Sequence, residues 1–310
     1  MIPLAGSKSN PITFVRSLWR ILRGRPHVPP SLADHPLLDV IMQRRSVRSF
    51  TDREIPDDVF AAILEAGRLA PSTVNLQSWS FATFTAATWR TTFDRPIPFH
   101  GQRAIIVLGD TYRDRLVLDA FPQSPLIEYT IAVVNASLAA MNMNLAAEAL
   151  GVSSVMLSET GRTGILDAGY LKQVLCLPDG VFPLMTIVFG YARGAYPPLP
   201  PKLPLNQICF ADHYPEPDRA VMEDWLAQMK AGYKASHLRS SFEAQLHLYE
   251  SKIGQAESDL QKMVFREGQP STNRFAKRTS GRFAKRTSAQ RVSESDSVRV
   301  SVKSPLTVLD

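Results

Sequence analysis

The segment from Arg44 to Phe50 reads Arg-Arg-Ser-Val-Arg-Ser-Phe. It places three guanidiniums and two hydroxyls within seven consecutive residues. A planar guanidinium matches phosphate oxygens with two parallel hydrogen bonds, which makes such a run an anion receptor. A lone Arg-rich run is more often a solvated helix end, so its meaning depends on what accompanies it.

A second polar segment follows between Leu69 and Trp79 and reads Leu-Ala-Pro-Ser-Thr-Val-Asn-Leu-Gln-Ser-Trp. Pro-Ser-Thr predicts a turn that ends the preceding helix. Asn75 and Gln77 add amide groups that both donate and accept hydrogen bonds. Such groups suit a flat heterocycle that carries several donors and acceptors, so the two segments together predict a site for a phosphate joined to a ring.

The hydrophobic periodicity around these segments predicts alternating helices and strands. The predicted helices are 37–43, 56–69, 128–150 and 218–233, and the predicted strands are 79–84, 103–109, 152–157, 183–191 and 205–211. The helix 128–150 is apolar nearly all round and stops at Gly151, which predicts that it is buried in a larger assembly.

A heptad spacing follows near the carboxyl end. Apolar residues recur every three or four positions at Phe242, Leu246, Tyr249, Ile253, Ala256, Leu260 and Met263. This spacing predicts a helix that packs along another helix. We expect it to lie along a second subunit or to pair with its own copy.

The basic charge of the chain lies at its two ends. The 310 residues carry a net charge of +6 and a sequence pI of about 9.4. Residues 266–310 contain ten Lys or Arg against four acids, a net +6, and residues 1–34 contain five against one, a net +4. The remaining body is therefore at −4, so the high pI does not indicate that the body binds nucleic acid.

Both terminal extensions leave alternatives open. Residues 12–22 form a basic amphipathic pattern that suits either a membrane surface or packing on the body. Residues 266–310 repeat Arg-Phe-Ala-Lys-Arg-Thr-Ser twice and predict a disordered basic tail, which is either simply solvated or contacts RNA or lipid. Two cysteines, Cys176 and Cys209, give neither a disulfide framework nor a metal-ligand spacing, so the expected localisation is cytoplasmic, with peripheral membrane attachment as the alternative.

From residue 36 to residue 213 the chain resembles the nitroreductase family of FMN-dependent oxidoreductases. The resemblance rests on the two segments above, on Leu-Ala-Ala-Glu-Ala-Leu-Gly at 145–151, and on Pro-Lys-Leu-Pro-Leu at 201–205. It implies an α+β fold of three α-β-α layers, with a mixed, mostly antiparallel sheet wrapped by helices, in an intertwined homodimer. The expected organisation is an extension at 1–35, the FMN domain at 36–215, a helical extension at 216–265 and the tail at 266–310.

The resemblance also implies roles for individual residues. Arg44, Arg45 and Ser46 are expected to hold the FMN phosphate and ribityl chain, and Arg48 to reach the N1 and O2 edge of the flavin. A segment expected to reach the flavin of the partner subunit comprises Pro71, Ser72, Thr73 and Asn75. Lys202 is expected to close over the phosphate. The chain departs from the family pattern at two positions. Ser78 stands where the family commonly has Pro, and Pro200 stands where many members carry Lys.

The implied reaction is a ping-pong transfer of electrons from NADH or NADPH, through flavin N5, to a nitroaromatic, a quinone or another conjugated acceptor. No side-chain acid or base is expected to be obligatory, because the cofactor supplies the chemistry. Two alternatives stay open: a specialised FMN enzyme that modifies one biosynthetic metabolite or peptide, and a flavin-binding scaffold attached to membrane or RNA by its tails. The aromatic and polar residues expected near the pocket are Trp89, Phe93, Phe99, His100, Phe121 and Tyr129, although most of them suit a core equally well.

Overall fold

A computed structural model of the chain describes residues 11–24, 26, 28–32, 34–118, 124–158, 164–237 and 241–265. The helices are α1 (Pro11–Arg23), α2 (Pro36–Gln43), α3 (Asp57–Arg68), α4 (Ala86–Phe93), α5 (Tyr112–Arg115), α6 (Pro125–Ala149), α7 (Ala168–Val174), α8 (Arg219–Ser236) and α9 (Phe242–Phe265). The strands are β1 (Trp79–Thr85), β2 (Arg103–Asp110), β3 (Ser153–Leu157) and β4 (Val181–Gly190). The predicted tail at 266–310 and Phe121 lie outside the described residues.

The four strands form one sheet in the order β1-β2-β4-β3, and every neighbouring pair is antiparallel. A parallel contribution comes from the isolated bridge between Ser46 and Ser154, which attaches the Arg-rich segment to β3. The sheet order brings β3 beside β4, although α7 separates them along the chain. The α+β prediction with a mostly antiparallel sheet is therefore confirmed.

Helices cover both faces of this sheet and make the three predicted layers. Side chains of a strand alternate between its faces. Ile105 and Val107 of β2 accordingly join a cluster with α3, α6 and α9, whereas Ala104 and Ile106 join a cluster with α4 and α7. The core is thus divided by the sheet into two apolar layers.

The helix α6 is the centre of the first layer. It contacts all four strands as well as α2, α3 and α9. Its buried side is built from small and flexible residues, so α3 approaches closely at Gly67, where an added Cβ would meet Met143 Cγ at 2.7 Å. By length and composition α6 would also qualify as a membrane span, but 44% of its most apolar window is buried in the core. Gly151, with φ of +73°, follows the helix and allows the chain to turn into β3.

One predicted element needs correction. Residues 205–211 do not form a strand: Leu205–Gln207 is a 3-10 turn, and the carbonyl of Leu205 accepts from the backbone N–H of Cys209 at 2.7 Å. The heptad pattern does form a helix, α9, and part of its seam packs on the chain's own helices, while the expected contact with a second subunit stays a prediction. Ala256 and Met263 are buried there, and Lys252 binds Asp167 at 3.1 Å beside the amino end of α7.

Candidate functional site

The Arg-rich segment lies at the junction of α2 and the sheet. Arg44 ends α2 with extended backbone (φ −52°, ψ 132°), so the chain leaves the helix here. The backbone N–H of Val47 donates to the carbonyl of Ser154 at 3.0 Å, which places the segment along β3. The hydroxyl of Ser154 in turn donates to Asn144 of α6. The segment is therefore held by β3 and, through β3, by the carboxyl half of α6.

The three guanidiniums of this segment have no carboxylate partner among the described residues. Arg45 donates to the carbonyl of Arg44 at 2.8 Å and also to that of Met42, and Arg48 donates to the carbonyl of Ser46 at 3.3 Å. Other arginines of the chain do form ion pairs with acidic side chains, namely Arg20, Arg68, Arg103, Arg113, Arg115, Arg193 and Arg219. The segment therefore carries three positive charges, and none of them contacts a carboxylate among the described residues.

Glu148, in the last turn of α6, is the acid whose charge interacts with this cluster. Burial raises the pKa of its carboxyl, and the Tyr196 hydroxyl and the charges of Arg44 and Arg45 oppose that rise. The Tyr196 hydroxyl lies 3.5 Å from the Glu148 carboxylate and 2.8 Å from the Ser153 hydroxyl. Glu148 is thus half-buried near the cluster without forming an ion pair with it.

The second predicted segment forms a strained turn on the amino half of α6. Asn135 accepts from the backbone N–H of Thr73 at 3.1 Å and from its hydroxyl at 3.3 Å. The Ser72 hydroxyl accepts from the backbone N–H of Gln77 at 3.0 Å. Val74, Asn75 and Gln77 all have positive φ, between 42° and 57°. Left-handed backbone is unfavourable for a β-branched residue such as Val74, which is also 85% exposed.

The helix α6 relates the two predicted segments to each other. Asn135 holds the Thr73 turn, and Asn144 contacts the strand that carries the Arg-rich segment. These residues are nine positions apart in one helix, a rise of about 13 Å along its axis. One rigid element therefore fixes the spacing between an anion receptor and a polar turn.

A cleft of about 480 Å³ opens beside Arg48. It is lined by Arg48, Ser49, Phe50, Asp52, Phe99, His100 and Arg193. The backbone N–H of Arg193 donates to Ser49 at 2.9 Å and so joins the end of β4 to the Arg-rich segment. Phe99 and His100 have positive φ, of 58° and 56°. These two pocket residues of the sequence prediction therefore do lie beside one of its cofactor residues.

Other predicted site residues lie elsewhere. Pro71 and Asn75 are exposed on the turn, and Lys202 is exposed and in no ion pair among the residues described. Trp89 and Phe93 belong to the core instead of a pocket wall, because they lie on α4 with ring centroids 4.4 Å apart and almost no exposure. Tyr129 packs edge to face on Phe182 at 5.0 Å.

The sequence reasoning missed the residues that join the segments to the body, namely Asn135, Asn144, Glu148 and Tyr196. Asn135 and Asn144 are among the few polar residues of a mostly apolar helix, which is the signal that could have found them. Ser78, a departure from the family pattern, has a structural role: its buried hydroxyl donates to Asp114 at 2.7 Å. Burial raises the pKa of that carboxyl, and the bond from Ser78 opposes the rise.

Comparison with known proteins assigns this arrangement to a family. A relative from Archaeoglobus fulgidus, named "Putative NADH dehydrogenase/NAD(P)H nitroreductase", is 29% identical over 194 residues, which cover 61% of this chain and 98% of the relative. The "FMN reductase (NADPH)" of Bacillus subtilis is 25% identical over 177 residues, covering 53% and 70%. The solved structure of NfrA2 from B. megaterium shares the fold, with a TM-score of 0.62, 18% identity and coverage of 74% and 98%.

The sequence model of the nitroreductase family matches residues 41–191, which include the Arg-rich segment, the Thr73 turn, α6 and the whole sheet. With the shared fold and the relatives above, this match shows that residues 41–191 of the chain form a domain of the nitroreductase family.

Proposed function

We propose that the protein is an FMN-dependent oxidoreductase that takes electrons from NADH or NADPH and passes them to a small conjugated acceptor. The observation that carries the proposal is the group of three guanidiniums at Arg44, Arg45 and Arg48, which has no carboxylate partner among the described residues. The names of the relatives, an NAD(P)H nitroreductase and an NADPH-dependent FMN reductase, support the donor and the flavin.

The described residues fit FMN by their chemistry. A phosphate monoester needs several cationic or N–H donors, and the Arg-rich segment offers guanidiniums and the hydroxyl of Ser46. The Nδ2 amide of Asn135 is buried and has no hydrogen-bond partner among the described residues. An unpaired buried donor costs about 1–3 kcal/mol, which favours an acceptor that arrives with a bound ligand or a second subunit.

Each of these residues would then have its own role in binding the cofactor. Arg44, Arg45 and Ser46 bind the phosphate, and Lys202 adds a cation from the segment before α8. Arg48 would add a positive charge to the cofactor site, and a fixed cation there would favour the more negatively charged, reduced form of a flavin. When bound, FMN supplies the hydride chemistry at its N5 atom. The chain would bind and orient the ring without an obligatory side-chain acid or base.

A homodimer would complete the site. Four apolar residues of α6 remain 39–59% exposed at heptad spacing: Ile127, Val134, Leu138 and Met141. A contiguous apolar face of this kind favours a protein partner, and the 7-residue spacing suits a second helix. Asn135 lies next to Val134, so pairing of two copies through α6 would bring each Thr73 turn close to the other subunit.

Purified protein tests the proposal directly. We expect a yellow protein whose flavin absorbance is bleached by NADPH without air and restored by a nitroaromatic or a quinone. Steady-state rates with both substrates varied should give the parallel double-reciprocal lines of a ping-pong cycle. If the protein binds FMN but is not reduced by NADH or NADPH, the proposal that it is an NAD(P)H-dependent oxidoreductase is wrong. If NADPH reduces the protein but neither acceptor reoxidises it, the proposed acceptor class is wrong and the proposed donor and flavin stand.

A further inference from the structure

The helix α1 is attached to the body through an edge that is not its most apolar face. Its buried residues are Ser17 and Ile21. Ile21 lies against Gly232 of α8, where an added Cβ would meet its Cδ1 at 3.1 Å. Arg20 adds a salt bridge to Asp224 of α8 at 2.7 Å. These contacts fix the rotation of α1 about its own axis.

That rotation turns the apolar stripe of α1 away from the body. Ile12, Val15, Trp19 and Leu22 are 75%, 64%, 54% and 75% exposed. Their spacing of three, four and three residues places them on one side of the helix. A shallow groove of about 490 Å³ runs beside Pro11, Ile12, Val15, Arg16 and Trp19. Apolar surface gathered in this way indicates a binding surface rather than chance exposure.

Positive charge borders the stripe. Arg16 and Arg23 are exposed, and at 100° per residue both fall beside Trp19 on one flank of the stripe. The Arg23 guanidinium lies 4.0 Å from the centre of the Trp19 ring. The helix contains no acidic residue. Its outward surface therefore combines large apolar side chains with cations that have flexible apolar stems.

We propose that this outward face of α1 docks the enzyme on the surface of an anionic lipid bilayer. Apolar side chains would enter the boundary between headgroups and acyl chains, tryptophan suits that boundary, and the arginines would reach lipid phosphates. A second copy of the chain fits the surface less well. Pairing two such stripes about a two-fold axis would bring the same guanidiniums against each other.

The full-length protein should cosediment with vesicles of equal parts phosphatidylcholine and phosphatidylglycerol, and much less with phosphatidylcholine alone. The double variant Val15→Ser/Trp19→Ser should lose at least about tenfold in vesicle affinity. The variant Arg16→Gln/Arg23→Gln should lose mainly the preference for the anionic vesicles. The matched control is Leu248→Ser/Ile253→Ser on α9, which removes apolar residues that are 44% and 50% exposed and should bind like the unchanged protein.

A spectroscopic variant tests whether Trp19 itself contacts lipid. Anionic vesicles should shift the tryptophan emission of the unchanged protein to the blue. Trp19→Phe should keep vesicle binding and lose most of that shift, because Trp79 and Trp89 are already buried. The fourth tryptophan, Trp225, is half-buried on α8, where its indole N–H donates to the carbonyl of Pro201 at 3.3 Å. The proposal is overturned if Val15→Ser/Trp19→Ser binds vesicles undiminished, which would assign binding to another segment such as the basic tail. It is also overturned if that variant changes only the oligomeric state, which would make the stripe a contact between copies.

Discussion

Asn135 of α6 accepts two hydrogen bonds from Thr73, one from its backbone N–H at 3.1 Å and one from its hydroxyl at 3.3 Å. A side chain of the central helix thereby holds a turn whose backbone is left-handed at Val74, Asn75 and Gln77. Strain of this kind persists only where surrounding contacts determine it. The position of the predicted ring-binding segment therefore depends on an amide 62 residues away in sequence.

Asn135→Ala should release that turn. We expect a loss of about 1 kcal/mol in the free energy of unfolding, the usual value of a lost hydrogen bond, together with weaker FMN binding. Asn142→Ala is the matched control, because it removes one α6 amide bond, to the carbonyl of Ala66, away from the turn. Urea unfolding and FMN titration of both variants measure the two effects. Equal losses of FMN affinity in the two variants would mean that the turn has no special role.

Glu148→Gln should change how stability depends on pH. Burial raises the pKa of Glu148 in the folded protein above its ordinary value of 4.5, so ionisation costs more in the folded state than in the unfolded one. This penalty is absent below the unfolded pKa and complete above the folded pKa. The stability of the variant relative to the unchanged protein should therefore increase as pH rises through that window.

The control for this measurement is Glu65→Gln on α3. The hydrogen bond from Arg68 lowers the pKa of Glu65, so this carboxyl favours folding above its unfolded pKa and loses that effect as pH falls. The relative stability of Glu65→Gln should thus decrease with rising pH, opposite in sign and small because the pair is exposed. Urea unfolding across a pH series reports both slopes. If the stability difference between Glu148→Gln and the unchanged protein does not vary with pH, the pKa of Glu148 is not raised.

Two glycines give opposite expectations for the same substitution. Gly67→Ala should destabilise the protein by about 1–3 kcal/mol, because the new Cβ meets Met143 Cγ at 2.7 Å where α3 packs on α6. Gly254→Ala should stabilise it by about 0.5–1 kcal/mol, because no atom lies within 4 Å of the new Cβ and alanine favours a helix. Thermal unfolding of the two variants should shift in opposite directions. If Gly67→Ala leaves the unfolding temperature unchanged, α3 and α6 can move apart with little loss of stability.

The proposed dimer depends on the exposed seam of α6. Leu138→Asp should dissociate it, since burying an unpaired carboxylate in an apolar interface is costly. Leu248→Asp on α9 has a similar exposure, 44% against 41%, and should leave the dimer intact. Sedimentation velocity separates the outcomes. Monomeric unchanged protein, or a Leu138→Asp variant that stays dimeric, would contradict this interface.

Local patterns predicted the regular elements well. The β-branched run in β2 and the glycine after α6 produce signals that lie within a few neighbouring residues. Residues 205–211 show the limit of such signals. Leu205, Ile208 and Phe210 look like a strand, but they are 52–70% exposed, and no described strand pairs with them. A short apolar run does not reveal whether another strand is available to it.

Only the part of the candidate site that forms a local sequence pattern could be predicted. Arg44, Arg45 and Arg48 form a dense local pattern, and a resemblance to a family can be read from it. Asn135 and Glu148 act through contacts with segments far away in sequence, so their importance depends on packing that no local pattern contains. The same limit applies to α9, since a heptad seam predicts a packed helix but does not specify its partner.

Comparing FMN with riboflavin tests whether the Arg-rich segment recognises the phosphate. The two ligands share the ring and differ by the phosphate, so the ratio of their dissociation constants isolates phosphate recognition. We predict that the unchanged protein prefers FMN strongly, and that Arg44→Gln reduces that preference by about tenfold to a hundredfold, the value of one charge-assisted hydrogen bond. Arg68→Gln, which removes an arginine paired with Glu65, should leave the preference unchanged. Equal affinity of the unchanged protein for FMN and riboflavin, or no binding of either, would contradict phosphate recognition by this segment.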